Sequence, residues 1–223
     1  MSTGVLRVAT WNVHGLRGGV AAVARTVRDE AIDVLLLQES GPRGRLRELG
    51  KELGWIVCAD PRAFPRRRIQ NAVLLKPSSG GRAHSHLVRF EDGSLLHPRG
   101  ALLAETDDGW TVVSVHLGLR GPERGRHLEQ LASMIERSSS SFVIGADMNA
   151  LPEDLGPAAV RRWATDCWAT VGEGTGATFP SSEPTARIDY LFVGPTITPL
   201  RAWTVTSTTS DHFMVVAEVK LDR

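Results

Sequence analysis

An acid and an imidazole stand side by side in Ser210-Asp211-His212-Phe213, immediately before the apolar run 214–219. A loop passing into a strand there would hold both groups at a rigid sheet edge, in position for proton transfer or for contact with a metal or phosphate. Three other strand-like runs also end in such groups: Val8-Ala9-Thr10-Trp11-Asn12, Val34-Leu35-Leu36-Leu37-Gln38-Glu39 and Phe142-Val143-Ile144-Gly145-Ala146-Asp147-Met148-Asn149. Four polar-tipped strands point to one convergent site.

Glu39 ends a strand of leucines, so its carboxylate would project from a sheet edge as a ligand for Mg²⁺ or Mn²⁺, which favour hard oxygen donors. Asn12, at the end of a neighbouring strand, could add an amide oxygen or a water contact. Taken singly, each is as well read as a strand-end cap. Asp147 and Asn149 lie two apart and face the same side of an extended segment, where one could hold or deprotonate a water and the other fix it or a phosphate oxygen; an Asx turn is the plain alternative. Asp189, in Arg187-Ile188-Asp189-Tyr190, could orient His212 for acid–base work. Adjacent side chains on a strand face opposite ways, so Asp211 addresses a metal or water rather than His212. His116 adds a second imidazole at the end of Thr111-Val112-Val113-Ser114-Val115-His116, and Asn71 could donate to phosphate; a core histidine and a turn are their plain readings. His84, His86, His97 and His127 lack flanking acids at ligand spacing and read as surface or hydrogen-bonded residues.

The elements that must position these groups are legible as alternating apolar patterns. Strands are expected over 5–12, 32–38, 69–75, 101–105, 110–116, 142–146, 188–193, 201–206 and 213–221, and helices over 20–28, 46–53, 121–137 and near 158–164. The turn signal Asp107-Asp108-Gly109 makes a hairpin of two of these strands. Strands and helices alternate in both halves, which gives an α/β sandwich with mixed sheets. No sequence repeat is evident and no linker interrupts the chain, so residues 1–223 read as one domain.

Composition bounds the function. The 223 residues are 42% hydrophobic and 23% charged, ordinary for a globular chain. The N-terminus lacks a signal-peptide pattern and no apolar run spans a bilayer, so a cytoplasmic monomer without a membrane span is expected. Cys58 and Cys167 form no CxxC pair and read as buried thiols. A net charge of +1 supplies no global field for a polyanion, so any anionic substrate must be gripped locally. The candidate grips are Arg62, Arg66, Arg67 and Arg68 in one loop and Arg120, Arg124 and Arg126 after His116, with Arg120 the foremost phosphate contact of the second group.

In chain order, Thr10-Trp11-Asn12-Val13-His14-Gly15, Gln38-Glu39, Asn71-Ala72-Val73-Leu74, Ser114-Val115-His116-Leu117, Gly145-Ala146-Asp147-Met148-Asn149, Arg187-Ile188-Asp189-Tyr190-Leu191-Phe192 and Ser210-Asp211-His212 resemble the endonuclease/exonuclease/phosphatase superfamily, the DNase I-like fold. The resemblance runs from residue 10 to residue 212. It implies a four-layer α/β sandwich, two mixed β-sheets packed face to face with helices outside, and a divalent-metal-dependent phosphoesterase site at one sheet edge. By motif, Asn12 and Glu39 would serve the metal, Asp211 would lie by the metal or water, and Asp147 with Asn149 would position water and phosphate. Asp189 would orient His212, and His116 with Asn71 would stabilise the phosphoryl group. His14 stands where many abasic-site endonucleases of the family carry aspartate, and Ile69-Gln70 replaces the commoner aromatic-glycine pair before Asn71. A nuclease on DNA or RNA is the leading expectation. A phosphatase or phosphodiesterase on a small ester, inositol phosphate or lipid head group is the alternative, and a non-catalytic binding module on the same fold is the third.

Overall fold

The chain's structure, a computed structural model, describes residues 4–61, 68–79, 83–91, 98–137 and 140–222. It opens with β1 (Val5–Asn12), α1 (Val20–Asp29) and β2 (Val34–Gln38). Val20, Val23, Ala24 and Val27 recur at helical spacing and make the buried stripe of α1. All five residues of β2 are buried, as a central parallel strand covered on both faces requires. The second helix, α2 (Arg43–Leu53), ends on Gly54 in the left-handed conformation (φ 71°), a helix stop that glycine adopts without a Cβ penalty. With β3 (Ile56–Ala59) and β4 (Ala72–Leu75) the first half is complete.

The second half repeats the plan. β5 (Ala83–Arg89) and β6 (Gly100–Thr106) lead to β7 (Thr111–His116), α3 (Gly121–Ile135) and β8 (Phe142–Asp147), again a parallel pair joined over a helix. The short α4 (Leu155–Val160), β9 (Thr165–Asp166), α5 (Cys167–Val171), β10 (Asp189–Val193), β11 (Ile197–Val205) and β12 (Met214–Leu221) follow. Among the described residues there are two six-stranded sheets, with orders β11-β12-β1-β2-β4-β3 and β5-β6-β7-β8-β10-β9. Among the strands of the described residues, β1–β2 and β7–β8 are the parallel pairs.

Three apolar layers hold the four structural layers together. Val8, Val34, Leu36, Leu102, Val112 and Val143 pack between the sheets. α1 and α2 cover the outer face of the first sheet through Val23, Val27 and Leu49, and α3 and α4 cover the second through Leu128, Leu131 and Val160. The sheets approach closely at Gly145, where a Cβ would lie 2.6 Å from Cδ1 of Leu36 and 2.8 Å from Cβ of Thr10. No helix of the described residues is long and apolar enough to cross a membrane.

The expected elements are present with shifted ends, and four were not anticipated: β3, β5, β9 and α5. β5 is an edge strand whose outward His84 and His86 and neighbouring Ser85 are all exposed, so it lacks an apolar alternation. β11 begins at Ile197 instead of 201, because Pro199 on this edge strand interrupts the pattern and the register shifts between Pro199 and Arg201. The helix expected near 158–164 begins at Leu155, with Pro157 in its first turn, where the missing N–H is tolerated. β4 begins at Ala72 instead of 69. Arg68, expected in a surface loop, is buried at 3% exposure and donates to the Gly41 carbonyl, while Arg62, Arg66, Arg67 and His97 lie outside the described residues.

Because Gly145 has no room for a side chain between the sheets, Gly145→Val should destabilise the fold by about 1–3 kcal/mol through overpacking. A urea midpoint equal to that of the parent would contradict this account of the seam.

Candidate active site

The chain tips meet because a parallel strand's end and an antiparallel neighbour's start lie at the same sheet edge. In the first sheet, Asn12 at the end of β1 pairs with Gln38 at the end of β2, and His212 stands two residues before β12, antiparallel to β1. In the second, His116 ending β7 pairs with Asp147 ending β8, and Asp147 pairs with Asp189, the first residue of β10. The face-to-face packing sets these two rows of polar tips against each other.

Side chains then cross between the sheets. Asn12 Nδ2 donates to Asp147 Oδ2 at 2.9 Å, and its Oδ1 accepts the His14 amide at 3.1 Å. Asp147 Oδ2 lies 3.3 Å from His116 Nε2, and Asn149 Nδ2 lies 3.2 Å from the same nitrogen while donating to Leu117 O at 3.1 Å. His212 Nδ1 is 2.8 Å from Asp189 Oδ2, which also accepts from Thr178 Oγ1 at 2.6 Å. The His212 ring is flanked by Phe179, with centroids 4.9 Å apart, and its carbonyl is held by Trp11 Nε1 at 2.9 Å. The ligand atoms of Asp147, Asp189 and His212 lie within 4.8 Å of one another, and Asp189 Oδ1 is buried without a hydrogen-bond partner. An orphaned carboxylate oxygen beside a second buried carboxylate, both hard donors, fits a divalent cation.

Several backbone positions at this edge are left-handed: His14 (φ 43°) and Leu16 (φ 55°) after β1, Glu39 (φ 47°) directly after β2, and Asn149 (φ 48°) two residues past β8. Asparagine tolerates this conformation, whereas for glutamate it costs on the order of 1 kcal/mol. Glu39 lines a cavity of about 250 Å³ together with Asn71, Arg99 and His116.

The electrostatics separate the two imidazoles. Burial opposes a charge on His212, but Asp189 through its field and hydrogen bond, with Asp147 and Asp211 beyond, outweighs that and lifts the ring to about 9. Burial dominates at His116, and Arg99 and His212 add to it against Asp147, so the ring is pushed down to about 3. At neutral pH His212 is therefore an imidazolium and His116 a neutral imidazole. Arg99 Nη1 lies 2.6 Å from each ring nitrogen of His116.

Six residues singled out from the sequence thus form one network: Asn12, His116, Asp147, Asn149, Asp189 and His212. Glu39 and Asn71 flank it on the cavity wall, although both amide protons of Asn71 go to backbone carbonyls, Gly100 at 3.0 Å and Ser114 at 2.8 Å. Asp211 stands beside the network, its Oδ1 3.3 Å from His14 Nδ1. Arg120 is exposed at the start of α3 and does not line the cavity. Sequence reasoning missed Arg99, Thr178 and Arg17, whose Nη1 lies 2.7 Å from His14 Nε2 on the cavity wall. Arg99 was within reach, since counting back from the hairpin turn pairs Gly100 with His116. Nothing in the local pattern marks Thr178.

Comparison with known proteins agrees with this fold. The chain superposes on an endonuclease/exonuclease/phosphatase from Bacteroides vulgatus with TM-score 0.81 at 15% identity, covering 98% of this chain and 99% of that one. A mannosyl-6-phosphatase from Bacteroides thetaiotaomicron gives 0.78 at 17%, covering 96% and 99%. TDP2 from D. rerio complexed with a single-strand DNA product gives 0.77 at 17%, covering 97% and 99%. Among curated proteins, none matches the chain. The profile of the Endonuclease/Exonuclease/phosphatase family matches residues 9–212, and on that match the chain belongs to this family.

Proposed function

We propose that the protein is a divalent-metal-dependent phosphoesterase that cleaves a phosphate ester by attack of water. The observation that carries this reading is the buried Asp189–His212 pair at 2.8 Å set against Asp147 across the sheet seam. A non-catalytic module would have little reason to keep an imidazolium, a neutral imidazole and two carboxylates buried together.

In this reading Asp147 accepts the proton of the attacking water, and Asn149 orients it. Neutral His116 and cationic His212 lie on the phosphoryl group, with His212 Nε2 the nitrogen left free for proton donation because Nδ1 is taken by Asp189. Glu39 together with the Asp147 and Asp189 carboxylates would hold Mg²⁺ or Mn²⁺, with Asn12 acting through Asp147 and Asp211 through His14. When bound, the cation supplies Lewis-acid neutralisation of phosphoryl charge. A nucleic acid is the leading substrate. A small phosphate ester is the second reading, favoured by the chain's +1 charge and the 250 Å³ size of the cavity.

Two outcomes are expected. EDTA should abolish turnover in a panel of nucleic-acid and small-ester substrates, Mg²⁺ or Mn²⁺ should restore it, and Glu39→Gln should weaken the metal response without unfolding the protein. Full activity of metal-free protein would refute the metal assignment. In metal-free protein, NMR should place the His212 titration near 9, moving down in Asp189→Asn, while His116 remains neutral to well below pH 6.5. The linkage signs are opposite. The raised His212 contributes stability that is complete below about 6.5 and lost as pH rises through 9, whereas the depressed His116 contributes stability that is complete above about 6.5 and lost as pH falls toward 3. His116→Asn should therefore lose less stability than the parent between pH 6.5 and 4; an equal loss would contradict the assignment.

A further inference from the structure

His127 lies on the buried stripe of α3 with Leu131 and Met134, where the helical pattern calls for an aliphatic residue. Its imidazole is fully buried. Nδ1 accepts the Gly118 N–H at 3.3 Å, and Nε2 has no hydrogen-bond partner among the described residues. Because Gly118 is the donor, Nδ1 carries the lone pair and the neutral ring keeps its proton on Nε2. Burial pulls the ring below the usual histidine value. Glu123 and the nearby Glu91 backbone oppose that and Arg126 and Arg99 add to it, so the ring is neutral at neutral pH.

Two routes lead from this ring to the site. Gly118 follows Leu117, whose N–H donates to Asp147 O at 3.0 Å and whose carbonyl accepts Asn149 Nδ2 at 3.1 Å. Phe90 stacks on the imidazole with ring centroids 4.7 Å apart, and the Phe90 amide donates to the carbonyl of Arg99, the residue that rests on His116. Other residues of α3 grip the same two segments: Arg124 Nη1 donates to Leu119 O at 2.6 Å, the Glu123 carboxylate leaves no room for a Cβ at Gly118, and Gln130 Oε1 accepts the Glu91 amide at 3.1 Å. A leucine in place of the imidazole would exchange one orphaned buried donor, the Nε2–H, for another, the Gly118 N–H. The ring therefore adds little to stability, and its effect lies in where the Gly118 segment sits.

We propose that His127 is a positioning residue of the active site: it fixes the turn after β7 so that the Leu117 carbonyl holds Asn149 and Arg99 stays against His116. Its kinetic consequence rests on the phosphoesterase reading, whereas the positioning belongs to the fold. Asn149 Nδ2 has two neighbours, Leu117 O and His116 Nε2. Both belong to the strand tip that the Gly118–His127 bond ties down, so a shift of that tip displaces both together. A misplacement of about 1 Å caused away from the chemistry costs on the order of 10²-fold in rate.

Long-range proton–nitrogen NMR of the wild-type protein, which needs no variant, should show His127 neutral at neutral pH with Nδ1 as the unprotonated nitrogen; a proton on Nδ1 would overturn the proposal. His127→Leu should lower kcat about 10- to 100-fold, with KM within about twofold and a urea midpoint close to the parent's. His127→Asn, whose Oδ1 takes the place of Nδ1 as acceptor for Gly118, should recover most of kcat. Unchanged kcat in His127→Leu, or no recovery in folded His127→Asn, would overturn the positioning role. Read without substrate, the Asn149 side-chain amide signals should shift in His127→Leu and return toward the parent positions in His127→Asn. Those shifts in a protein that turns over no ester keep the positioning role and overturn the phosphoesterase reading, while turnover in the parent with the Asn149 signals unmoved overturns the positioning role alone.

Discussion

Two sheets packed face to face through apolar side chains can share a polar site only where hydrogen-bonding groups cross between them, and here the crossings gather toward one edge. Gln38 is fully buried and donates to Ser114 Oγ and Gly145 O at 3.2 Å, and Ser114 Oγ donates to Leu37 O at 2.7 Å. Asn71 reaches Gly100 and Ser114, Asn12 reaches Asp147, and His212 reaches Asp189. Each contact joins a residue of one sheet to a residue of the other. Leaving one such buried group unpaired costs about 1–3 kcal/mol, so the register between the sheets is fixed by the same bonds that shape the site.

This arrangement makes chemistry out of topology. A single sheet edge offers one row of tips with backbone-fixed spacing; two opposed rows enclose a volume. The first sheet contributes Asn12, Glu39 and His212, and the second contributes His116, Asp147, Asn149 and Asp189. One imidazole is charged and the other neutral, because His212 has its own carboxylate partner in Asp189 whereas burial dominates at His116. The ordering of the parallel pairs β1–β2 and β7–β8 within their sheets is the same, with each sheet continuing through two antiparallel strands on the far side. The chain therefore builds the site from two copies of one plan.

Much of this could be read from residues. Apolar runs ending in Asn12, Glu39, His116 and Asp147 announced strand tips, and Asp189 with His212 announced a pair, because short strands covered on both faces leave little ambiguity about where they end. The duplication was not legible, since topology is repeated without repeated side chains. The strands without an apolar alternation, β5 and the bulged start of β11, were equally hidden. Side-chain destinations were the harder matter. Asn71 looks like a phosphate donor in sequence, but its protons are drawn to backbone carbonyls across the seam, and Arg120 looks near the site by number but is carried outward at the start of α3. Arg17 became visible only once the turn after β1 was folded against His14, whereas Arg99 stands one residue before the Gly100–His116 pair that the hairpin register provides.

The central claim is that groups from the two sheets act as one unit across the seam, and a double-mutant cycle on Asp189 and His212 tests it most directly. His212→Ala should lower kcat by about 10²- to 10⁴-fold, Asp189→Asn should cost somewhat less, and the double variant should be little worse than His212→Ala alone because the carboxylate acts through the imidazole. Losses that multiply, with all variants folded by circular dichroism, would contradict the account and give Asp189 a separate role.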